Sequence, residues 1–286
     1  MLFIRLFMSY GAICLTALLF IASSAVCAST PQRIISLSPH ATELAFAAGL
    51  GDKLIAVSDY SDYPPAAQKL EKIANYKGIN VDRIVALQPD LIITWPEGNP
   101  VRELNKLKQM GFHLYASHVQ TLADISKNLI DLSHFATNPS IGQQAAKTFN
   151  SQLKALKQRY GHQTPVRYFY QLSQKPIITV AQDNWPSEVF SFCGGKNVFG
   201  DSPSPYPQVG IEQVVLAQPD VIFTSEHAMT DGSMWQEWKN EIPAVGHHQV
   251  WSLHSDWLNR PTPRTLRAIK EVCQYFAQAR ENLTRK

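Results

Sequence analysis

The 286-residue sequence has only four cysteines and carries no C-x-x-C, G-x-S-x-G, Walker A or H-E-x-x-H motif. Those gaps leave thiol redox chemistry, serine hydrolysis, P-loop nucleotide hydrolysis and zinc proteolysis without support. Gly49-Leu50-Gly51 is a fragment of a dinucleotide fingerprint that lacks its third glycine. Lys and Arg form no run, and the formal net charge is only +3. The clustered basic surface of a nucleic-acid binder is therefore missing. An acidic small ligand stays possible, because a cleft can carry local charge that the total hides. The nine histidines are scattered. His40, His118, His227 and the His247-His248 pair show no spacing with carboxylates that would set metal ligands on one face, so no metal site is read. His40 is the best exception, since it follows Ser38-Pro39 at a strand end, where ligands commonly sit in open α/β sheets.

The N-terminus reads as a segment apart. Arg5 supplies a positive start, Ile13 to Ala22 is an apolar run, and Val26-Cys27-Ala28 places small residues before Ser29. This is the pattern of a secretory signal, residues 1–28, removed on export. The competing readings are acylation at Cys27, for which Val26 is bulky, and a retained anchor, for which the run is short of the roughly 20 residues a span needs. Removing the segment takes Cys14 and Cys27 with it and leaves Cys193 and Cys273. An even pair in an oxidising compartment predicts a disulfide closing a loop of about 80 residues, with two buried thiols as the alternative.

What is present is a repeat. VDRIVALQPDLIITW at 81–95 recurs as IEQVVLAQPDVIFTS at 211–225. Each copy sets an acid, Asp82 or Glu212, near the start of a short apolar helix. Gln-Pro-Asp then stops the helix and leads into an apolar strand. Generic α/β grammar would explain one copy; two copies 130 positions apart suggest two similar lobes, and two lobes make a cleft. Strands alternating with helices imply parallel sheets with right-handed crossovers. We expect an N-terminal α/β lobe over 29–138, a C-terminal α/β lobe over 163–286, and a bridging helix over 139–162. In that bridge Ala145, Phe149, Leu153, Leu156 and Tyr160 fall at helical spacing over some 30 Å. An ordinary surface helix is the alternative. The expected elements include a helix from Thr42 to Ala48 and a last helix capped by Thr262 with Pro263 in first position.

Aromatic residues concentrate at predicted loops and strand ends: Tyr60 and Tyr63 in SDYSDYPP, then Tyr76, Trp95, Trp185, Tyr206 and Trp257. Facing one cleft, they suit a broad, flat, partly apolar ligand, with Asp256 and Arg260 as polar anchors. Asp82 and Glu212 are explained by the helix dipole alone, or by a role as negative posts for basic residues of a two-fold symmetric partner.

SPHATELAFAAG, SDYSDYPP, NVDRIVALQPDLIITW, CGGKNVF, YPQVGIEQVV and SDWLNRPTPR, spread over nearly the whole mature chain, resemble the periplasmic cobalamin-binding proteins of bacterial cobalamin-import ABC transporters. These belong to the helical-backbone class of solute-binding proteins. The resemblance implies a non-enzymatic carrier that acts as a single chain, needs no cofactor, and holds a corrinoid between its lobes. It implies delivery to an inner-membrane permease with its ATPase. It makes Tyr60, Tyr76, Trp95, Tyr206 and Trp257 the cleft rings, Asp256 and Arg260 the polar contacts, Asp82 and Glu212 the docking acids, and Cys193–Cys273 the disulfide. Tyr76 and Tyr206 stand where the best-known member has Trp and Ile178 where it has Phe, so the pocket is expected to be smaller in aromatic surface and richer in hydroxyls; Asp82 stands where it has Glu, which shortens the reach of that docking contact. A ferric siderophore or haem on the same scaffold is the alternative cargo.

Overall fold

The computed structural model describes residues 30–161, 163–226 and 233–284. The expected signal segment, with Cys14 and Cys27, lies outside the described residues, as does His227.

The first half alternates strands and helices. In order they are β1 (Ile34–Ser36), α1 (Pro39–Ala47), β2 (Leu54–Ser58), β3 (Glu71–Asn75), β4 (Gly78–Ile79), α2 (Val81–Leu87), β5 (Leu91–Thr94), α3 (Val101–Gln109), β6 (Leu114–Ala116) and α4 (Leu122–Ser133). The strands form one sheet in the order β4-β3-β2-β1-β5-β6, parallel except at the β3–β4 hairpin. All three residues of β1 and all four of β5 are buried, as expected of parallel strands covered on both faces.

A 21-residue helix follows, α5 (Ser140–Tyr160). It packs against α4, α1 and a later helix, α10 (Thr265–Thr284), so it touches elements from both halves. Phe149 and Ala146 are its buried contacts, and Gly142 lets the two backbones close up: a Cβ there would meet the Leu129 carbonyl oxygen at 2.7 Å.

The second half comprises β7 (Val166–Gln171), the small hairpin β8 (Ser173–Gln174) and β9 (Ile177–Ile178), α6 (Ser187–Phe192), β10 (Gly195–Asn197), α7 (Ile211–Ala217), β11 (Val221–Ser225), α8 (Pro243–Gly246), β12 (Val250–Leu253), α9 (Ser255–Leu258) and α10 (Thr265–Thr284). Its main sheet runs β10-β7-β11-β12, all parallel. That order reproduces β2-β1-β5-β6 of the first half. The protein is thus two α/β lobes with parallel sheets, joined by one long helix.

The repeated Gln-Pro-Asp has a physical account. Gln88 and Gln218 end α2 and α7 in the left-handed conformation, at φ 45° and 48°. Proline then bars helix continuation. The aspartate ties the new strand to its neighbour: Asp90 accepts the backbone N–H groups of Gln32 at 2.7 Å and Arg33 at 3.0 Å, and Asp220 accepts that of Arg167 at 3.0 Å. Asp90 and Asp220 in turn donate their own N–H to the carbonyls of Arg33 and Arg167. Each motif therefore closes a helix and fixes the start of two adjacent central strands.

Two expected boundaries move. α1 begins at Pro39, three residues before Thr42, because Ser38 is its cap and Pro39 suits the first turn. The last helix begins at Thr265, since residues 262 to 267 form tighter i→i+3 bonds before the α-helical pattern sets in. Cys193, just after α6, and Cys273, within α10, form the expected disulfide. Among the described residues no helix is long and apolar enough to cross a membrane, and no group of three or more His, Cys, Asp or Glu could hold a metal ion.

Candidate functional site

In open α/β sheets the crevice lies beyond the carboxyl ends of the strands, and several of the predicted ring residues follow such ends. Tyr60 follows β2 and is 71 % exposed; Trp95 follows β5 and is 36 % exposed. Tyr76, 85 % exposed, tips the β3–β4 hairpin, and Tyr206, 54 % exposed, sits in the turn before α7. Trp257 is half-buried on α9, tilted at 30° against His254 with ring centroids 4.1 Å apart. Large rings left in water are an apolar surface waiting for a partner. Trp185, by contrast, packs on the main core and donates its indole N–H to the Leu258 carbonyl at 2.8 Å, so it braces the end of α9 from below. Tyr170 assists by donating to Asn259 at 3.0 Å.

The loop carrying Tyr60 is held by buried hydroxyls. Ser61 Oγ lies 3.0 Å from both Thr42 Oγ1 and Ser58 Oγ, and Lys72 Nζ donates to the carbonyls of Ser61 and Ala67. These contacts hold Tyr60 at φ 61°, a conformation unfavourable for a bulky side chain by roughly 1 to 3 kcal/mol. Trp95 is pinned edge-on by the His40 ring at 5.3 Å and by Gly98, where a Cβ would strike the indole at 2.1 Å.

Between the lobes lies an ion network. Arg260 of the second lobe reaches Asp62 at 2.6 Å and Glu43 at 3.3 Å on the first lobe, and Asp256 of its own lobe at 2.9 Å. Arg264 binds both oxygens of Glu43, through Nε at 2.8 Å and through its terminal nitrogen, and its guanidinium stands 4.2 Å over the Tyr63 ring. The Glu43 side chain is only 3 % exposed and those of Arg260 and Arg264 13 % and 12 %. Burial opposes ionisation of Asp62, but the hydrogen bond and charge of Arg260 outweigh it and lower its pKa. His40, buried one helical turn before Glu43, has its pKa lowered to about 3, first by burial and then by the Arg260 charge. It is neutral, and its Nε2 has no hydrogen-bond partner.

The structure thus joins Asp256 and Arg260 in one network, with Trp95 against His40 beside it and with Tyr60 and Trp257 near it only in sequence, Tyr60 two residues before Asp62 and Trp257 next to Asp256. Among the described residues no hydrogen bond, ion pair or ring contact joins Tyr76 or Tyr206 to it. Arg260 is mostly covered and engaged by three carboxylates, which limits what it offers a ligand. Glu43, Asp62, Arg264, Ser61 and Lys72 were not singled out as site residues from sequence. Asp82 and Glu212 are exposed in the first turns of α2 and α7, and neither is the cap: Asn80 accepts from Arg83 N–H at 3.0 Å, and Gln213 accepts from Gly210 N–H at 2.7 Å. An open groove of about 910 Å³ beside Asp82 is lined also by Asn80, Arg102, Glu103 and Lys106.

A family model described as periplasmic binding protein matches residues 34–257. The chain belongs to the periplasmic binding protein family. Within this family it is 60 % identical over 264 residues to a vitamin B12-binding protein of Vibrio parahaemolyticus, covering 92 % of this chain and 96 % of that one. It is 42 % identical over 261 residues to the vitamin B12-binding protein of Yersinia pestis, covering 91 % and 92 %. The crystal structure of the periplasmic vitamin B12 binding protein BtuF of Vibrio cholerae superposes with a TM-score of 0.85 at 59 % identity, over 88 % of this chain and 98 % of that one. The haem-binding protein RhuT of Roseiflexus, at 22 % identity and a TM-score of 0.77, covering 87 % and 98 %, shares the fold alone.

Proposed function

We propose that this protein is a periplasmic carrier that captures cobalamin between its lobes and delivers it to an inner-membrane ABC permease and its ATPase. The observation that carries the reading is the set of rings left exposed at strand ends and turns, in a chain 60 % identical to a vitamin B12-binding protein. A corrin is broad and flat with an amide fringe. Tyr60, Tyr76, Trp95, Tyr206 and Trp257 supply faces and edges for its plane, each good ring contact adding about 0.5 to 1.5 kcal/mol beyond burial. Asp256 and the uncovered edge of Arg260 suit the amides. Tyr76 and Tyr206 offer hydroxyls as well as faces. The chain acts as a non-enzymatic, single-chain carrier with no cofactor of its own; residues 1–28 direct export; and Asp82 with Glu212 meets basic residues of the permease.

The test is equilibrium titration of the purified protein with cyanocobalamin. One molecule bound per chain, co-eluting with its colour on gel filtration, is the expected result. Absence of binding at micromolar protein, or binding of haem or a ferric siderophore in its place, overturns the proposal.

A further inference from the structure

Two acids in equivalent places cross from one lobe to the other. The sheet orders β2-β1-β5-β6 and β10-β7-β11-β12 make α1 the counterpart of α6, and α4 the counterpart of α10. Glu43 of α1 reaches out of the first lobe to Arg264, the residue before α10, and to Arg260. Glu188 of α6 reaches out of the second lobe to the backbone N–H of Leu122, the first residue of α4. That N–H is one of the donors a helix start cannot satisfy internally, because Thr121 and Asp124 serve each other's N–H groups in a capping box. An acid on the first helix of each lobe thus grips the start of the last helix of the other.

We propose that Glu43 and Glu188 are positioning residues, a pseudo-symmetric pair of clasps that holds the lobes at the spacing where rings from both can meet one ligand. The inference rests on the cleft-binding reading above for its consequence, though not for its geometry. Three features support it. First, Glu43 is a buried carboxylate held by two arginines, and a buried charge deprived of its partner is strongly unfavourable, so this clasp resists opening, while the half-buried Glu188 supplies a charge-assisted hydrogen bond to an N–H that the helix start leaves free. Second, α5 joins the lobes as a single helix, which leaves their relative angle to be fixed by contacts of this kind. Third, Glu43 works on the same arginine that Asp62 and Asp256 hold, so the loop bearing Tyr60 and the short helix α9 bearing Trp257 are tied through one guanidinium. His40 fits the arrangement: its neutral ring keeps a further positive charge away from Arg260.

The experiment compares Glu43→Gln, Glu188→Leu and the double variant with the parent protein. Spin labels introduced at exposed Val101 and Leu216 report the distance between lobes by double electron–electron resonance without ligand, and cyanocobalamin titration reports Kd. Each single variant is expected to broaden the distance distribution. The double variant is expected to raise Kd about tenfold, within the range typical of coupling between sites. Should Glu43→Gln fail to fold, Glu188→Leu tests the second clasp alone. A merely structural role would lower the melting temperature while leaving distance distribution and Kd unchanged, and that result overturns the inference. If the parent protein binds no cobalamin, the functional reading fails, while the distance measurement still decides the clasps.

Discussion

At the scale of the residue, His40 shows how the site sets charge by burial. Its folded-state pKa is near 3 against an ordinary 6.5. As pH falls through that interval the unfolded chain takes up a proton that the folded chain refuses. The stability that goes with the neutral ring is therefore complete above about pH 6.5 and is progressively lost below it, by about 2 kcal/mol at pH 5. The check is an NMR titration of the imidazole Cε1–H signal together with urea unfolding at pH 7 and 5. The signal should stay flat above about pH 4, and His40→Gln should reduce the fall in unfolding midpoint. An imidazole titrating near 6.5 would show that His40 is hydrated and that Trp95 lacks the dry contact assigned to it. The exposure of Tyr60, Tyr76, Trp95 and Tyr206 was legible, because aromatics beside Pro, Gly and Asp at strand ends and turns have little core to enter, whereas Trp185, grouped with them, packs on the core. The ion network was not legible: Glu43, Asp62 and Arg264 are separated from their partners by about 200 positions, as the 198 between Asp62 and Arg260 and the 221 between Glu43 and Arg264 show. No local pattern marks such pairs.

At the scale of the element, the disulfide joins the end of α6 to the middle of α10, two helices packed on the same face of the second sheet. Closing an 80-residue separation restricts the unfolded chain, which chain-entropy reasoning values at about 4 kcal/mol. Cys193→Ser with Cys273→Ser should lower the unfolding free energy by roughly that amount in denaturant titration, and reduction of the parent protein should move it the same way. An unchanged midpoint would mean that α6 and α10 are already held by Phe276, Val189 and Phe190. The buried strands were readable to the residue at Leu54–Ser58 and Val221–Ser225, and so was the partly exposed edge strand Val250–Leu253. β3 was not: EKIAN buries only Ile73 and Ala74 and carries charge on an outer strand, so its apolar signal is too short. α4 was passed over although Leu122, Ile125, Leu129 and Leu132 keep helical spacing behind the Thr121 cap. The start of α10 was misplaced because a threonine followed by proline suits a cap, yet the chain first makes a tight turn there.

At the scale of the whole molecule, the repeat that organises the sequence sets its two acids in unequal surroundings. Asp82 stands beside a groove with Arg102, Glu103 and Lys106 on its walls, whereas Glu212 shares α7 with Leu216, which is 83 % exposed. Since Asn80 caps α2 and Gln213 holds the N–H of Gly210, the N-cap residue of α7, neither acid is the residue that starts its helix. Their favourable interaction with the helix dipole is worth only about 0.3 to 1 kcal/mol each, so charge reversal should leave the fold intact. Exposed charges facing a charged partner act chiefly on docking and its salt dependence. Asp82→Lys combined with Glu212→Lys is therefore expected to bind cyanocobalamin like the parent protein while cobalamin uptake by cells carrying it falls. The loss of delivery should appear equally as a weakened, salt-insensitive association with the reconstituted transporter. Uptake equal to the parent's would reduce the two acids to dressing on helix ends and would move the docking surface elsewhere on the lobes.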